Sequence, residues 1–224
     1  MITQFRGRGD EIRVYPLSFS EYVSVYQGSQ DEAWDDYLVY GGLPLILTME
    51  EAGDKAEYLN SLFQKVYISD IVERHNVRNK AELDELVDVL ASGIGSYTNQ
   101  TKLVRTFKSV KNKNISDKTI KNYTDYLIDS YLISKADRYD IKGKKQLEVD
   151  FVATKGSEKY YIQSAFALLT ADKVNQEQRG LLRISDFFRK IVVVGDNIKV
   201  RRDENGIITI GLRNFLLDEN SLKL

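Results

Sequence analysis

The amino-acid sequence predicts an α+β protein, a helical region with a winged-helix module followed by a small, incomplete α/β domain. Apolar residues recur at helical spacing through most of the first 132 positions, then turn strand-like from about Ile133. No repeat period is present that would indicate a solenoid.

The elements follow in order. Residues 11–17, EIRVYPL, alternate like a short strand, and Ser18 or Ser20 is placed to cap the helix behind it. Gly41-Gly42-Leu43-Pro44 separates two helices, because paired glycines permit positive φ and Pro44 biases Leu43 away from helix. From about Lys55 to Arg74, residues Leu59, Leu62, Phe63, Val66, Tyr67 and Ile71 have helical spacing. Ala81 to Ile94 repeats that stripe, with Gly93 and Gly95 loosening its end. Thr101 to Val110 is a further helix, and Lys111-Asn112-Lys113-Asn114 a turn. A helix from Asp117 to Leu132 follows, capped by Ser116, with Ile120, Tyr123, Leu127 and Tyr131 facing inward. Ile133 to Ile141 reads as strand, and Lys142-Gly143-Lys144-Lys145 as an exposed hairpin tip.

The last third predicts strands at LEVDFVAT and KYYIQSAF joined by Lys155-Gly156-Ser157-Glu158. A helix from Ala171 to Phe188, a buried strand KIVVVGD, a strand IITIG and a short helix LRNFLLD complete it.

Composition bounds the function classes. Hydrophobic residues at 42% and charged residues at 29% suit a folded globular chain of 224 residues. With no cysteine there is neither a disulfide framework nor a thiolate metal site, and no apolar run is long enough to span a bilayer. A cytoplasmic location is expected. The net charge of −1 hides an asymmetry: Lys102 to Lys145 holds twelve Lys or Arg against five Asp, so this segment carries +7 and the remainder −8. Such a block suits a polyanion partner or, more plainly, a solvated lysine face.

Three helices followed by a basic hairpin are the order of a winged helix-turn-helix, in which one helix enters the major groove and the hairpin touches backbone. If Ile120, Tyr123 and Leu127 pack inward, Lys118, Thr119, Lys121 and Asn122 turn outward near the helix N-terminus. The lysines there, with Lys142, Lys144 and Lys145 of the hairpin, give sequence-independent attraction through counterion release. Asn122 is the side chain able to read a base edge in bidentate fashion. Asp117 and Asp125 on the same helix oppose tight phosphate approach.

The strand-turn-strand-helix-strand order of the last third resembles the PD-(D/E)XK nuclease core. That chemistry needs an acid on one strand and acid-x-lysine on the next, so that two carboxylates hold a divalent metal. Asp150 fits the first role, but Gln163 stands for the second acid and Ala165 for the lysine, leaving a degenerate site and no catalytic residue. No GxxxxGK[ST] loop is present to cradle nucleotide phosphates. The single histidine, His75, sits in ERHNVRN at a helix end, where a solvated or dipole-facing role is expected.

FRGRGDEIRVYPLSFSEY, YGGLP, DIVERHNV, SDKTIKNYTDYLIDSYLISKADRYDIKGK and LEVDFVA with KYYIQ together resemble a family of prokaryotic AAA-type ATPases. There, an N-terminal P-loop module precedes a C-terminal domain of unknown function. The resemblance covers nearly the whole chain. It implies that residues 1–20 close an ATPase module, with Arg6 and Arg8 near the nucleotide or a subunit boundary and the P-loop lying upstream. It further implies a helical region over 21–145, with the winged helix at about 81–145, and a nuclease-like remnant over 146–224. ATP and magnesium are the cofactors it implies for a full-length protein, with none held by this chain. The sequence departs from the family between Lys145 and Leu147, where family members carry more chain.

The expected function is therefore the regulatory or binding portion of an AAA-type ATPase that contacts DNA. A protein-interaction or homo-oligomerisation module is the alternative.

Overall fold

The computed structural model describes residues 14–94, 98–110, 114–135, 139–140, 148–168 and 170–224. Its helices are α1 (Phe19–Val25), α2 (Gln30–Tyr40), α3 (Ala52–Leu62), α4 (Ser69–His75), α5 (Lys80–Ser92), α6 (Gln100–Val110), α7 (Asp117–Asp129), α8 (Ala171–Leu182) and α9 (Leu212–Leu217). The strands are β1 (Tyr139–Asp140), β2 (Glu148–Val149), β3 (Phe151–Lys155), β4 (Glu158–Ala165), β5 (Arg189–Val194), β6 (Arg201–Arg202) and β7 (Ile208–Gly211). The α+β expectation holds: helices dominate the first part and a mixed sheet of five strands forms the last.

The chain divides into two compact units. One holds the described residues up to Glu50 and those from 139 onward; the other runs from Glu51 to residue 135. Residues 21–50 therefore group with the sheet and not with the middle helices.

In the helical unit, α3 and α4 are joined by a π-helical turn, Phe63–Ile68, where the sequence predicts one continuous helix. The Ser69 hydroxyl donates to the Gln64 carbonyl at 3.0 Å, a five-residue span that matches the wider turn. Asn76 ends α4 in the left-handed conformation, which asparagine tolerates better than most residues. The core joins α4 to α7: Ile71, Leu83, Leu86, Leu103, Phe107, Ile120 and Leu127 are each at most 5% exposed and belong to one cluster. The expected apolar stripes of α5, α6 and α7 thus face one another. Tyr131 does not follow its stripe: α7 ends at Asp129, and Tyr131 lies beyond it at positive φ, 67% exposed.

In the sheet unit the strand order is β3-β4-β5-β7-β6. The β4–β5 and β5–β7 pairs are parallel, and both edge pairs are antiparallel. Gly156, at φ 61°, allows the two-residue turn between β3 and β4. One face packs Tyr161, Val192 and Val194 against Leu181 and Ile184; the other packs Ile191, Val193, Ile208 and Ile210 beside Leu212 and Phe215. Helix α8 stops at Leu182, short of the expected Phe188, because the following turn is tied elsewhere. Asp186 accepts from the Tyr161 hydroxyl at 2.7 Å and from the Phe188 N–H at 3.2 Å. The buried Gln178 of α8 donates to Asp203 at 2.9 Å, and Asp203 in turn holds the N–H groups of Asn205 and Ile207.

Helices α1 and α2 join this unit through the pairing of Arg213 with Asp31, and the Arg213 guanidinium lies 5.3 Å from the Trp34 ring centre. Ser18, one of the two expected caps, closes α1 with Glu21, and Ser29 with Glu32 closes α2 in the same way. Val14–Leu17 form no strand, contrary to expectation; Leu17 instead donates its N–H to the Gly42 carbonyl at 2.7 Å. A Cβ on Gly42 would fall 2.0 Å from the Leu17 carbonyl oxygen, so the second glycine of the YGGLP turn is required by that approach. Tyr22 is buried and donates to Asp36; burial, then that bond, pushes its phenol well above the usual tyrosine range.

Candidate nucleic-acid interface

Helix α7 is set by its cap and its core face. Ser116 is extended, at φ −78° and ψ 150°, and its hydroxyl accepts the Thr119 N–H at 3.0 Å. Burial of Ile120, Tyr123 and Leu127 then fixes which side chains face water. Lys118 and Lys121 are exposed, as the spacing predicts, whereas Thr119 and Asn122 are half-buried. The Thr119 hydroxyl lies 2.8 Å from the Ser116 hydroxyl, so it belongs to the cap. Asn122 makes no side-chain hydrogen bond among the described residues.

The charge order along α7 is informative. Its exposed face carries Lys118 and Lys121 in the N-terminal half and Asp125 and Asp129 in the C-terminal half. The helix macrodipole favours the opposite order, at about 0.3–1 kcal/mol per exposed charge. Asp117 alone stands where that field stabilises it. Neither lysine makes an ion pair among the described residues. The helix field therefore does not account for the cations at this end, which is the end that groove-inserted helices present, although Asp117 and Asp125 at four-residue spacing offset part of the cost at Lys121.

Helix α6 contributes Lys102, Arg105 and Lys108, all exposed. The charge block contains them, but sequence reading did not single them out; the signal available was a helix with no acidic residue. Between α5 and α6 lies a cavity of about 350 Å³ lined by Val89, Leu90, Leu103, Val110 and Lys102, among others. His75 stacks flat on Tyr126, with ring centres 3.8 Å apart and planes 9° apart, so this histidine is a packing group at the helix end. Burial raises the phenol of the neighbouring Tyr123, and the charge of Glu82 adds to the effect.

Lys142, Lys144 and Lys145 lie outside the described residues, as do Arg6 and Arg8. On either side of 141–147, β1 and β2 pair antiparallel, Tyr139 with Val149 and Asp140 with Glu148.

The nuclease-like trio does not converge. Asp150 breaks the expected LEVDFVAT strand into β2 and β3, and its carboxylate accepts both the N–H and the hydroxyl of Ser164 at 2.8 Å. Successive residues of a strand point to opposite faces, so a carboxylate bonded to the Ser164 side chain is turned from the face that carries Gln163 and Ala165. Gln163 instead donates to Glu177 of α8 at 3.2 Å, and Lys173 pairs with Glu177 at 2.6 Å. The Gln163 side-chain amide oxygen Oε1 is buried and has no hydrogen-bond partner among the described residues. Glu177 was not foreseen, because only the packing of α8 on the sheet brings it to Gln163. Among the described residues no group of three His, Asp or Glu is placed to hold a metal ion, and no helix is long and apolar enough to cross a membrane.

A family model described as a domain of unknown function, DUF8612, matches residues 31–153. An uncharacterized protein of Haemophilus influenzae is 27% identical over 274 residues, covering 97% of this chain and 67% of that protein. Because that match is longer than the 224 residues of this chain, the relative carries internal residues that have no counterpart here. An uncharacterized protein of Methanocaldococcus jannaschii is 27% identical over 154 residues, covering 63% of this chain. The chain spans about two thirds of the first relative and about a third of the second. No solved structure matches.

Proposed function

The chain belongs to the family of the domain of unknown function DUF8612, and we propose that it is the binding portion of a longer AAA-type ATPase, contacting DNA through its three-helix module. The ATPase part rests on the block resemblance from GRGDEIRVYPLSF to KYYIQ, and the DNA part on α7. The single observation that carries the DNA reading is the pair Lys118 and Lys121: exposed, without ion-pair partners among the described residues, and set against the helix field at the end that can enter a groove. Contacts by lysine alone give salt-sensitive, weakly sequence-selective binding. The half-buried Asn122 limits base reading further.

Among the described residues no carboxylate group is placed to hold magnesium at the nuclease-like position, where Asp150 is turned to Ser164 and Gln163 to Glu177. The ATP and magnesium that the resemblance implies are assigned on this reading to a P-loop module of a longer protein. The sheet unit then serves as a structural platform, and a cytoplasmic setting suits the whole.

Fluorescence anisotropy with a labelled DNA duplex tests the reading. Binding at low salt is expected, with log affinity falling linearly in log salt, and Lys118→Glu with Lys121→Glu is expected to weaken it at least tenfold. Absence of binding at low salt, or unchanged affinity in the double variant, rejects it.

A second reading, a self-association or partner module, draws on Leu38 and Val39 of α2, which are 60% and 70% exposed. Concentration-dependent mass without DNA affinity would favour it.

A further inference from the structure

We infer that α6 is a second phosphate-contacting element, in which Arg105 and Lys108 engage the backbone of duplex DNA; this rests on the reading of α7 as a DNA-contacting helix. Over its eleven residues α6 has three cations and no carboxylate, whereas α5 and α7 both carry acids. Leu103 and Phe107 are buried and fix the core side of α6. At 3.6 residues per turn, position 105 then points directly away from that core and position 108 about 120° from it, both toward solvent. Lys102 lies about as far round on the opposite flank, where it lines the cavity between α5 and α6.

Arg105 and Lys108 are exposed, and neither makes an ion pair among the described residues. They stand three residues apart on one face, where like charges repel, so the arrangement is unfavourable until a polyanion neutralises it. Helix rise separates them by about 4.5 Å along the axis, a cation density suited to a duplex carrying one negative charge per about 1.7 Å of its axis. The planar guanidinium of Arg105 can take two phosphate oxygens at once. An anionic membrane is the weaker fit, because a surface-lying helix must turn its apolar face outward, and the large residues Leu103 and Phe107 of α6 are spent in the core. Because α6 and α7 share that core, their cations belong to one compact helical unit.

The test is the salt dependence of duplex binding by the whole chain. Arg105→Ala with Lys108→Ala removes two exposed side chains and keeps good helix formers, so the fold is retained, as circular dichroism will verify. The slope of log affinity against log salt is expected to shrink by about 2, from two lost phosphate contacts at about 0.9 each. Arg201→Ala with Arg202→Ala, on the exposed edge strand β6, removes the same charge and is expected to leave the slope unchanged.

If the α6 variant keeps the full slope while Lys118→Glu with Lys121→Glu weakens binding, the inference fails and the α7 reading stands. If the unaltered chain binds no duplex at low salt, the α7 reading fails and this one with it. Equal loss in the β6 variant would assign the effect to net charge and overturn the inference. So would binding to phosphatidylserine vesicles that depends on Arg105 and Lys108 while duplex affinity does not.

Discussion

Asp150 holds both polar groups of Ser164, its carboxylate accepting the backbone N–H and the hydroxyl at 2.8 Å each. Ladder pairing between β3 and β4 ends at Phe151 opposite Ile162, so this side chain receives an N–H of β4 that lies past the last paired residue. The residue that fits the first metal-binding position of the nuclease pattern is thereby engaged as a strand-end acceptor.

Replacing Asp150 should therefore be felt in stability. Asp150→Ala leaves the Ser164 N–H to water and should cost about 1 kcal/mol, whereas Asp150→Asn keeps an acceptor oxygen and should cost less. Urea unfolding of the two variants measures the difference; equal midpoints for both and for the unaltered chain would contradict this role.

Gln163 is held by Glu177, a carboxylate already paired with Lys173. Gln163→Glu places two carboxyl groups together in a half-buried site, with an expected loss on the order of 1–2 kcal/mol at pH 7.5. The introduced carboxyl has its proton affinity raised, so stability is intact at low pH and lost as pH rises through its folded value. Urea midpoints at pH 5 and at pH 7.5 should show the smaller deficit at pH 5; a deficit independent of pH would exclude charge repulsion as its cause.

The capping boxes of α1 and α2 predict an acid-side dependence. Hydrogen bonds from Ser18 to Glu21 and from Ser29 to Glu32 hold both carboxyls below their ordinary value of 4.5. A lowered folded value means that the contribution is present in full above about pH 4.5 and is lost as pH falls through the folded values. Glu21→Gln with Glu32→Gln keeps an acceptor and removes the titration. Its thermal midpoint should fall less than that of the unaltered chain between pH 6 and pH 3.5, as followed by circular dichroism.

Much of this molecule is local and was therefore readable from residue order. Helices α5, α6 and α7 were legible because Leu83, Leu86, Leu103, Phe107, Ile120 and Leu127 recur at helical period, and burial of one stripe is the main source of helix stability. Ser18 and Ser116 were legible as caps because a cap bonds an N–H only three residues away. KIVVVGD was legible as strand because a short β-branched run buried on both faces has few other uses. The outward placement of Lys118 and Lys121 followed from the same helical period.

What stayed hidden depends on residues far apart in the chain meeting. Arg213 reaches Asp31 across 182 positions and draws α1 and α2 to the sheet unit, which no local pattern encodes. Whether Asp150 faces Gln163 or Ser164 turns on a break between β2 and β3, and whether Gln163 meets a cation or a carboxylate turns on where α8 settles. Periodicity and capping are short-range and largely additive along the chain, so they can be read in sequence order. The direction of a polar side chain is set by whichever distant donor or acceptor packing brings within about 3 Å, and that is fixed only when the layers close.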